Sequence, residues 1–331
     1  MKIIQYLLTG FVALVVVGCG RSVSDIPPAG SEIARVSPAP HGLAAQQGEQ
    51  APPGLSTLAI FAGSTGQALN WTQLLEAMDA ADVVVIGESH TDASGHAIQA
   101  EIIAAASRRY DELTLSLEEF DRSQQAALDA FRRGELTATD IQSVGIFVMP
   151  EFRNNWMEWS FPKIAAAQDA GTPLVASNAP LRYSRLVRNV GCDNLPELEA
   201  EESALFDCPE APEDPAYKAR FTENIKRAIS SNKSQGLKPL KAEQTDKMFR
   251  AQRVWDATMA ASIVHARANG AEKVLHIVGN VHADFNGGLI QELNYRDPDI
   301  LVQVISLVAK RSSTLLDTDR SRADIVIYTR N

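Results

Sequence analysis

The sequence predicts an α/β protein in which helices cover both faces of a mainly parallel β-sheet, within a single domain. Two observations lead to this fold class. Short apolar runs rich in β-branched residues alternate with longer stretches of helical periodicity, which is typical of βαβ units. Most of these runs also lack the apolar and polar alternation of a half-exposed strand, so we expect strands that are buried on both faces.

The predicted elements follow one another from about Trp71 to the end of the chain, within a folded domain that we place at 57–331. The strands are expected at 82–86, 113–117, 173–176, 273–278, 300–307 and 324–328. The helices are expected at 96–110, 123–133, 155–170, 181–190, 217–231 and 241–269. Gly270 supplies the stop signal for the last of these helices.

Composition and charge exclude several classes of protein. The chain has 331 residues, 45% of them hydrophobic, which is enough for a sizeable core. Its net charge of −10 argues against a sequence-independent nucleic-acid binder, so we expect no nucleic-acid partner. Cys19, Cys192 and Cys208 form no C-x-x-C pair, which excludes zinc-ribbon, thioredoxin-like and covalent c-type haem proteins.

The N-terminus has the pattern of an export signal. Residues 1–18 contain Lys2 followed by an apolar stretch that is short for a membrane span. The stretch ends in Val-Val-Gly before Cys19 and so resembles the signal of a bacterial lipoprotein, which implies lipidation of Cys19. Residues 19–56 are rich in Pro and Gly and are predicted to form a flexible tether. We therefore expect a protein of the bacterial cell envelope held on a membrane by its lipid, and Gly20 favours the outer membrane.

An acidic insertion is predicted at 191–216, where nine acidic residues occur without any Lys or Arg. Cys192 and Cys208 lie in this segment, and two thiols so close in an exported protein are expected to form a disulfide. A calcium site is the alternative for the acidic residues. The segment has no D-x-D-x-D-G loop, which favours a solvated excursion instead.

Polar side chains follow four of the predicted strands. In chain order they are Glu88 and His90, Glu118 and Glu119, Asn178, and Asn280 and His282. Ligands bind at the carboxyl ends of strands in open parallel sheets, so these residues should line one crevice. His96 and Gln99, on the helix after the first strand, are expected to face it as well.

The long predicted helix adds Gln252 and Asp256, which are four residues apart and share a face with apolar residues. Asp256 either faces the crevice or pairs with a basic neighbour such as Arg253. Two histidines have structural interpretations. His276 is expected within a buried strand, and His265 on the solvent side of the long helix.

The crevice residues allow two kinds of chemistry. Glu88, His90 and His282 offer oxygen and nitrogen ligands to a divalent transition metal, or they form an acid–base group with Glu118. The spacing does not select a metal. The sequence has no H-E-x-x-H, G-x-S-x-G, Walker or G-x-G-x-x-G motif, which argues against zincin proteases, α/β-hydrolases, NTPases and dinucleotide enzymes.

The motifs together resemble the ChaN family of haem-binding uptake lipoproteins in the Tiki superfamily. They are V-V-V-I-G-E-S-H at 83–90, His96 and Gln99, E-E-F at 118–120, Asn178, A-Q-x-x-W-D-x-x-M-A at 251–260 and G-N-x-H at 279–282. The resemblance implies non-covalent haem binding in haem or iron acquisition, and it allows a homodimer that holds haem between two copies of the chain. It assigns cofactor contacts to Glu88, His90, His96, Gln99, Asn178, Gln252, Asp256, Asn280 and His282.

The superfamily also implies an alternative, a metal-dependent hydrolase of protease or esterase type. In that case Glu88, His90 and His282 would bind a metal or activate water, with Glu118 as an acid–base partner. One position departs from the family pattern. The family carries W-x-x-Y where this chain has Trp-Met-Glu-Trp, so that Trp159 replaces a tyrosine associated with haem iron. Tryptophan does not coordinate iron, whereas histidine does.

Overall fold

The computed structural model describes residues 51–53, 55–145, 150–231 and 239–330. The predicted signal at 1–18, Cys19 and most of the tether at 19–56 lie outside these residues. Within the described ranges, no helix is both long enough and apolar enough to cross a membrane.

Eight strands form one sheet in the order β2-β1-β8-β7-β3-β6-β4-β5. The strands are β1 Ala59–Ala62, β2 Ala68–Leu69, β3 Val83–Glu88, β4 Leu113–Asp121, β5 Leu174–Asn178, β6 Lys273–Gly279, β7 Val302–Val308 and β8 Ile325–Tyr328. β1 pairs antiparallel with β2 and β8, and the strands from β8 to β5 in this order are all parallel. The predicted α/β fold with a mainly parallel sheet is confirmed.

Helices connect and cover the strands. In chain order they are α1 Trp71–Asp79, α2 Ala93–Arg109, α3 Gln125–Arg132, α4 Ala138–Val144, α5 Pro150–Asn154, α6 Trp156–Trp159, α7 Phe161–Asp169, α8 Leu181–Val190, α9 Ala200–Ser203, α10 Pro215–Ser231, α11 Ala242–Ala268, α12 Asn280–Ala283 and α13 Gly288–Arg296. Short 3-10 turns occur at Arg122–Gln124, Cys192–Asn194 and Asp317–Asp319.

Strand β3 shows why the apolar runs do not alternate with polar residues. Val84 and Ile86 pack into a core with α1, α2 and α7 on one face of the sheet. Val83 and Val85 pack into a second core with α11 and α13 on the opposite face. Every residue of β3 is buried, because successive side chains of a strand point to opposite faces and both faces are covered.

The sequence-based elements differ from the structure in two respects. The single helix predicted at 155–170 is wrong, because the chain there forms α6 and α7 with a break at Ser160. Pro162 lies in the first turn of α7, where its missing N–H is tolerated, and it could not continue a preceding helix. The predictions also omitted strands β1 and β2 and the helices α1, α4, α5, α9, α12 and α13.

The acidic insertion is attached to the domain by its disulfide and its apolar residues. Cys192 and Cys208 are joined by a disulfide with a Cα–Cα distance of 6.1 Å. Phe206 is buried against Tyr183, and Asp207 lies 2.7 Å from the guanidinium of Arg122. Seven of the nine acidic residues are nevertheless exposed, as expected for a solvated excursion.

Candidate functional site

The predicted crevice lies at the carboxyl ends of β3 and β6, which are neighbours in the sheet. After β3 the chain crosses towards β4, whereas after β6 it crosses towards β7 on the other side. Connections that leave adjacent strands in opposite directions open a crevice between them. The backbones approach closely there, since a Cβ on Gly279 would lie 2.9 Å from Nε2 of His90. Glycine at 279 thus makes room for the His90 ring.

Glu88 is the last residue of β3 and is buried, with partners on both carboxylate oxygens. Oε1 lies 2.9 Å from Nδ1 of His90, and Oε2 accepts a hydrogen bond of 2.5 Å from Nε2 of Gln99. The Nδ1 atom of His96 lies 3.4 Å from Oε2, and the ammonium of Lys163 lies 3.9 Å from it. Burial raises the pKa of Glu88, but the Lys163 charge and the two imidazoles outweigh it and hold the pKa well below its usual range.

His90 is the accessible member of this group, with 28% of its side chain exposed. Its Nδ1 faces Glu88, and its Nε2 lies beside Gly279, where it makes no hydrogen bond to a described residue. Burial lowers the pKa of His90, but the hydrogen bond to Glu88 and the charge of Glu118 reverse that effect and raise it. The structure therefore presents an imidazole nitrogen whose opposite nitrogen is held by a carboxylate.

His96 is buried beneath His90 and connects the crevice to an aromatic wall. Its Nε2 lies 3.1 Å from the backbone carbonyl oxygen of His90. This contact holds the His96 ring against the backbone of His90. The ring stacks on Phe152 and on Trp159, at centroid distances of 5.4 and 5.7 Å. Trp159, at the position where the family pattern has tyrosine, therefore supports a histidine.

A second carboxylate, Glu119, is buried behind Glu88. It accepts hydrogen bonds from Nε1 of Trp156 at 2.8 Å and from the hydroxyl of Ser160 at 2.6 Å. Lys163 lies 3.4 Å from Glu119 and is only 1% exposed. The sequence analysis did not single out Lys163. Its position inside the apolar run Phe161 to Ala167 was the available signal, because a lysine in such a run needs a buried anion.

The other half of the site is a hydrogen-bonded chain centred on His282. Its Nδ1 lies 2.6 Å from Oδ1 of Asp256, and its Nε2 lies 3.2 Å from Oε1 of Glu118. The hydroxyl of Tyr217 donates to Oδ2 of Asp256 at 2.8 Å. The amide nitrogen of Gln252 lies 3.1 Å from Nδ1 of His282. Asp256 therefore faces the crevice, where it contacts His282.

Arg253, the alternative partner for Asp256, instead hydrogen-bonds to the carbonyl oxygen of Ala211. It also lies 3.9 Å from Glu292. The sequence analysis did not identify Tyr217 as a site residue. It shares a helical face with Phe221 and Ile225, a pattern that is typical of a hydrophobic core.

These contacts shift the pKa values of the residues in this hydrogen-bonded network. Burial lowers the pKa of His282, but the carboxylates of Asp256 and Glu118 on either side raise it to about 10. Burial raises the pKa of Glu118, which His282, His90 and the N–H of Gly279 together lower to about 2. Burial raises the pKa of Asp256 despite its bond to His282. The two flanking carboxylates therefore favour the imidazolium form of His282.

Two further candidate residues lie beside the crevice, and the two histidines with structural interpretations lie elsewhere in the fold. Asn178 donates to the backbone carbonyl oxygen of Glu118 at 3.0 Å and so positions β4. Asn280 lines an adjoining cavity. His276 is fully buried in β6 beside Ser116, where burial lowers its pKa to about 3, and its Nε2 has no partner among the described residues. His265 is exposed on α11.

An α/β protein with carboxylate-held histidines at the switch point of its sheet is the class that the fold and the site define. The chain belongs to the ChaN family of haem-binding uptake proteins in the Tiki superfamily, whose sequence profile matches residues 74–293. The family resemblance of the motifs is thereby confirmed. No curated protein matches the chain significantly in sequence.

The fold is shared by a solved structure. ChaN of Campylobacter jejuni, described with cofacial haem binding, superposes with a TM-score of 0.61 at 16% identity, covering 82% of this chain and 96% of that one. The type III effector HopBA1 is similar at a TM-score of 0.44 and 15% identity, covering 84% and 98% of the two chains. A mutant of the erythromycin esterase EreC gives 0.39 at 14% identity, covering 75% and 76%.

Proposed function

We propose that this protein binds haem non-covalently at the bacterial cell envelope and serves haem or iron acquisition. The observation that supports the proposal most is the Glu88–His90 pair within a member of the ChaN family. Haem proteins hold iron through an imidazole nitrogen whose other nitrogen donates to a carboxylate or carbonyl group. His90 offers this arrangement, with Nδ1 on Glu88 and no hydrogen bond from Nε2 to a described residue.

The chemistry of the other candidate ligands favours His90 over them. Both nitrogens of His282 face carboxylates, and both nitrogens of His96 have partners, so neither ring has a nitrogen to spare. Trp159 has no donor atom for iron. Phe152, whose ring lies 5.8 Å from that of His90, supplies apolar surface of the kind that a porphyrin contacts. The bound haem would supply the iron that the acquisition role requires.

Titration of hemin into the purified protein tests the proposal. We expect a saturating, shifted Soret band, with unchanged affinity in His265→Ala, because His265 is exposed on α11. Affinity should fall tenfold or more in His90→Ala, which corresponds to about 1.4 kcal/mol or more for a lost metal–ligand bond. A flat difference spectrum at micromolar protein would sink the proposal.

The second candidate is the hydrolase. The Glu88–His90 geometry that suits an iron ligand also suits a general base, since the carboxylate orients the imidazole and raises its pKa. The described residues contain no group of three or more His, Cys, Asp or Glu side chains placed to bind a metal ion. Stoichiometric zinc, manganese or iron in the purified protein that is lost in His282→Ala would favour the hydrolase over haem binding.

We also propose that Cys19 carries the lipid that holds the domain at the membrane, through the tether at 19–56. The support is the sequence pattern at the end of the apolar stretch. Cys19→Ser should move the protein from the membrane fraction to the soluble fraction, whereas unchanged partition would refute the anchor. A homodimer around haem is a further proposal, and it predicts a hemin-dependent rise in sedimentation coefficient.

A further inference from the structure

A second cavity, of about 810 Å³, opens next to the crevice, and none of the residues proposed to hold iron line it. Its walls come from α10, from the segment after β6 and from the β7–β8 connection. They include Tyr217, Arg220, Asn280, Phe285, Lys310 and Arg322. Cavities of roughly 300–1,000 Å³ accept small organic ligands.

The cavity carries unbalanced positive charge in an acidic protein. Lys310 and Arg322 are both paired with Asp319, and Arg322 also bonds to Asp284. Arg220 differs from them. Its guanidinium donates to the carbonyl oxygen of Phe285 at 2.8 Å, and no carboxylate of a described residue lies within ion-pair distance of it. A guanidinium without an anion, aimed into a cavity, matches the geometry of a carboxylate group.

The apolar wall beside Arg220 is held in an uncommon backbone conformation. Phe285 and Asn286 have φ angles of 54° and 58°, in the left-handed region that side-chain-bearing residues seldom adopt. This conformation places the ring of Phe285 4.8 Å from the guanidinium carbon of Arg322 and 5.9 Å from that of Arg220. The ring of Phe285 therefore lies beside the positive charges of Arg220 and Arg322. A ligand with a flat apolar ring and a negative charge could contact both the phenyl ring and a guanidinium.

We propose that this cavity binds an aromatic monocarboxylate, with its carboxylate on Arg220 and its ring against Phe285. The single unmatched guanidinium favours one negative charge, and the apolar wall favours a ring over an inorganic anion. The proposal is independent of haem binding at His90. It requires Arg220, Phe285 and the open volume between α10 and the segment after β6.

Calorimetric titration of the full chain with 2-naphthoate tests the assignment, with neutral 2-naphthamide as the comparison ligand. We expect saturable binding of the carboxylate and at least tenfold weaker binding of the amide. Arg220→Gln should weaken naphthoate binding about tenfold, because a charge-assisted contact is lost. Arg133→Gln is the matched control, since Arg133 is exposed and pairs with Glu135, and it should leave binding unchanged.

A second variant separates the cavity from the haem site. Ala219→Trp adds bulk to an exposed helical position that lines the cavity, and it should abolish naphthoate binding without unfolding the protein. His90→Ala should keep naphthoate affinity even where it loses hemin. Equal affinity for acid and amide, an Arg220→Gln variant that binds as the wild type does, or the absence of saturation at millimolar naphthoate would overturn the proposal.

Discussion

Replacing Lys163 with methionine should destabilise the protein by about 3–5 kcal/mol, the largest effect that we expect from removing one charge. Methionine keeps the apolar stem and its volume, so the change isolates the ammonium group. Glu88 and Glu119 are both buried within 3.9 Å of Lys163 and would lose its positive charge. Buried carboxylates without a counter-charge are costly, because the interior solvates them poorly.

Urea denaturation at neutral pH measures this effect. The matched control is Lys226→Met, because Lys226 pairs with Glu223 at the surface, where both side chains are more than half exposed. The control should change the free energy of unfolding by less than about 1 kcal/mol. Adding Glu119→Gln to Lys163→Met should recover part of the loss. A Lys163→Met protein as stable as the Lys226→Met protein would contradict the buried charge cluster.

Stability should also fall markedly as the pH rises towards 10, and His282 should account for much of that fall. The pKa of His282 is raised from 6.5 to about 10 in the folded protein. The stabilisation from its protonated form is therefore complete below about pH 6.5 and is lost as the pH rises through about 10. A pKa difference of one corresponds to about 1.4 kcal/mol, so deprotonation of His282 should lower the free energy of unfolding by several kcal/mol.

Unfolding free energies between pH 6 and 10.5 test this prediction by difference. His282→Gln should have a lower free energy of unfolding than the wild type at pH 6. This difference should become smaller at higher pH, because His282 of the wild type loses its proton. Glu118 does not change the stability between pH 6 and 10.5. The stabilisation from its ionised form is complete above about pH 4.5 and is lost only as the pH falls through about 2. His265→Gln is the exposed control. Parallel profiles for wild type and His282→Gln would show that His282 is not protonated as described.

The sequence predicted the residues that follow strands better than the residues that support them. Glu88, His90, Glu118 and His282 were identified because parallel strands bring their carboxyl ends to one edge, whatever the details of packing. Tyr217 was not identified, because only the three-dimensional packing of α10 on α11 places its hydroxyl on Asp256.

The same limit applies to charge. The sequence predicts a solvated acidic insertion, and most of its acidic residues are exposed, but it does not predict the ion pairs that two of them form with distant arginines. Asp207 meets Arg122, and Glu210 meets Arg296 at 2.7 Å. Long-range ion pairs of this kind have no local signal, unlike the spacing of Gln252 and Asp256, which share one helical face and both reach His282.

Coordination of haem iron by His90 is the central feature of the proposed function. Resonance Raman spectroscopy of the ferrous haem complex reports an iron–histidine stretching band directly. We expect this band in the wild type and in His265→Ala. It should be absent from His90→Ala and restored to that variant by added imidazole, which can replace the missing ring. An iron–histidine band that persists in His90→Ala without imidazole would contradict the account.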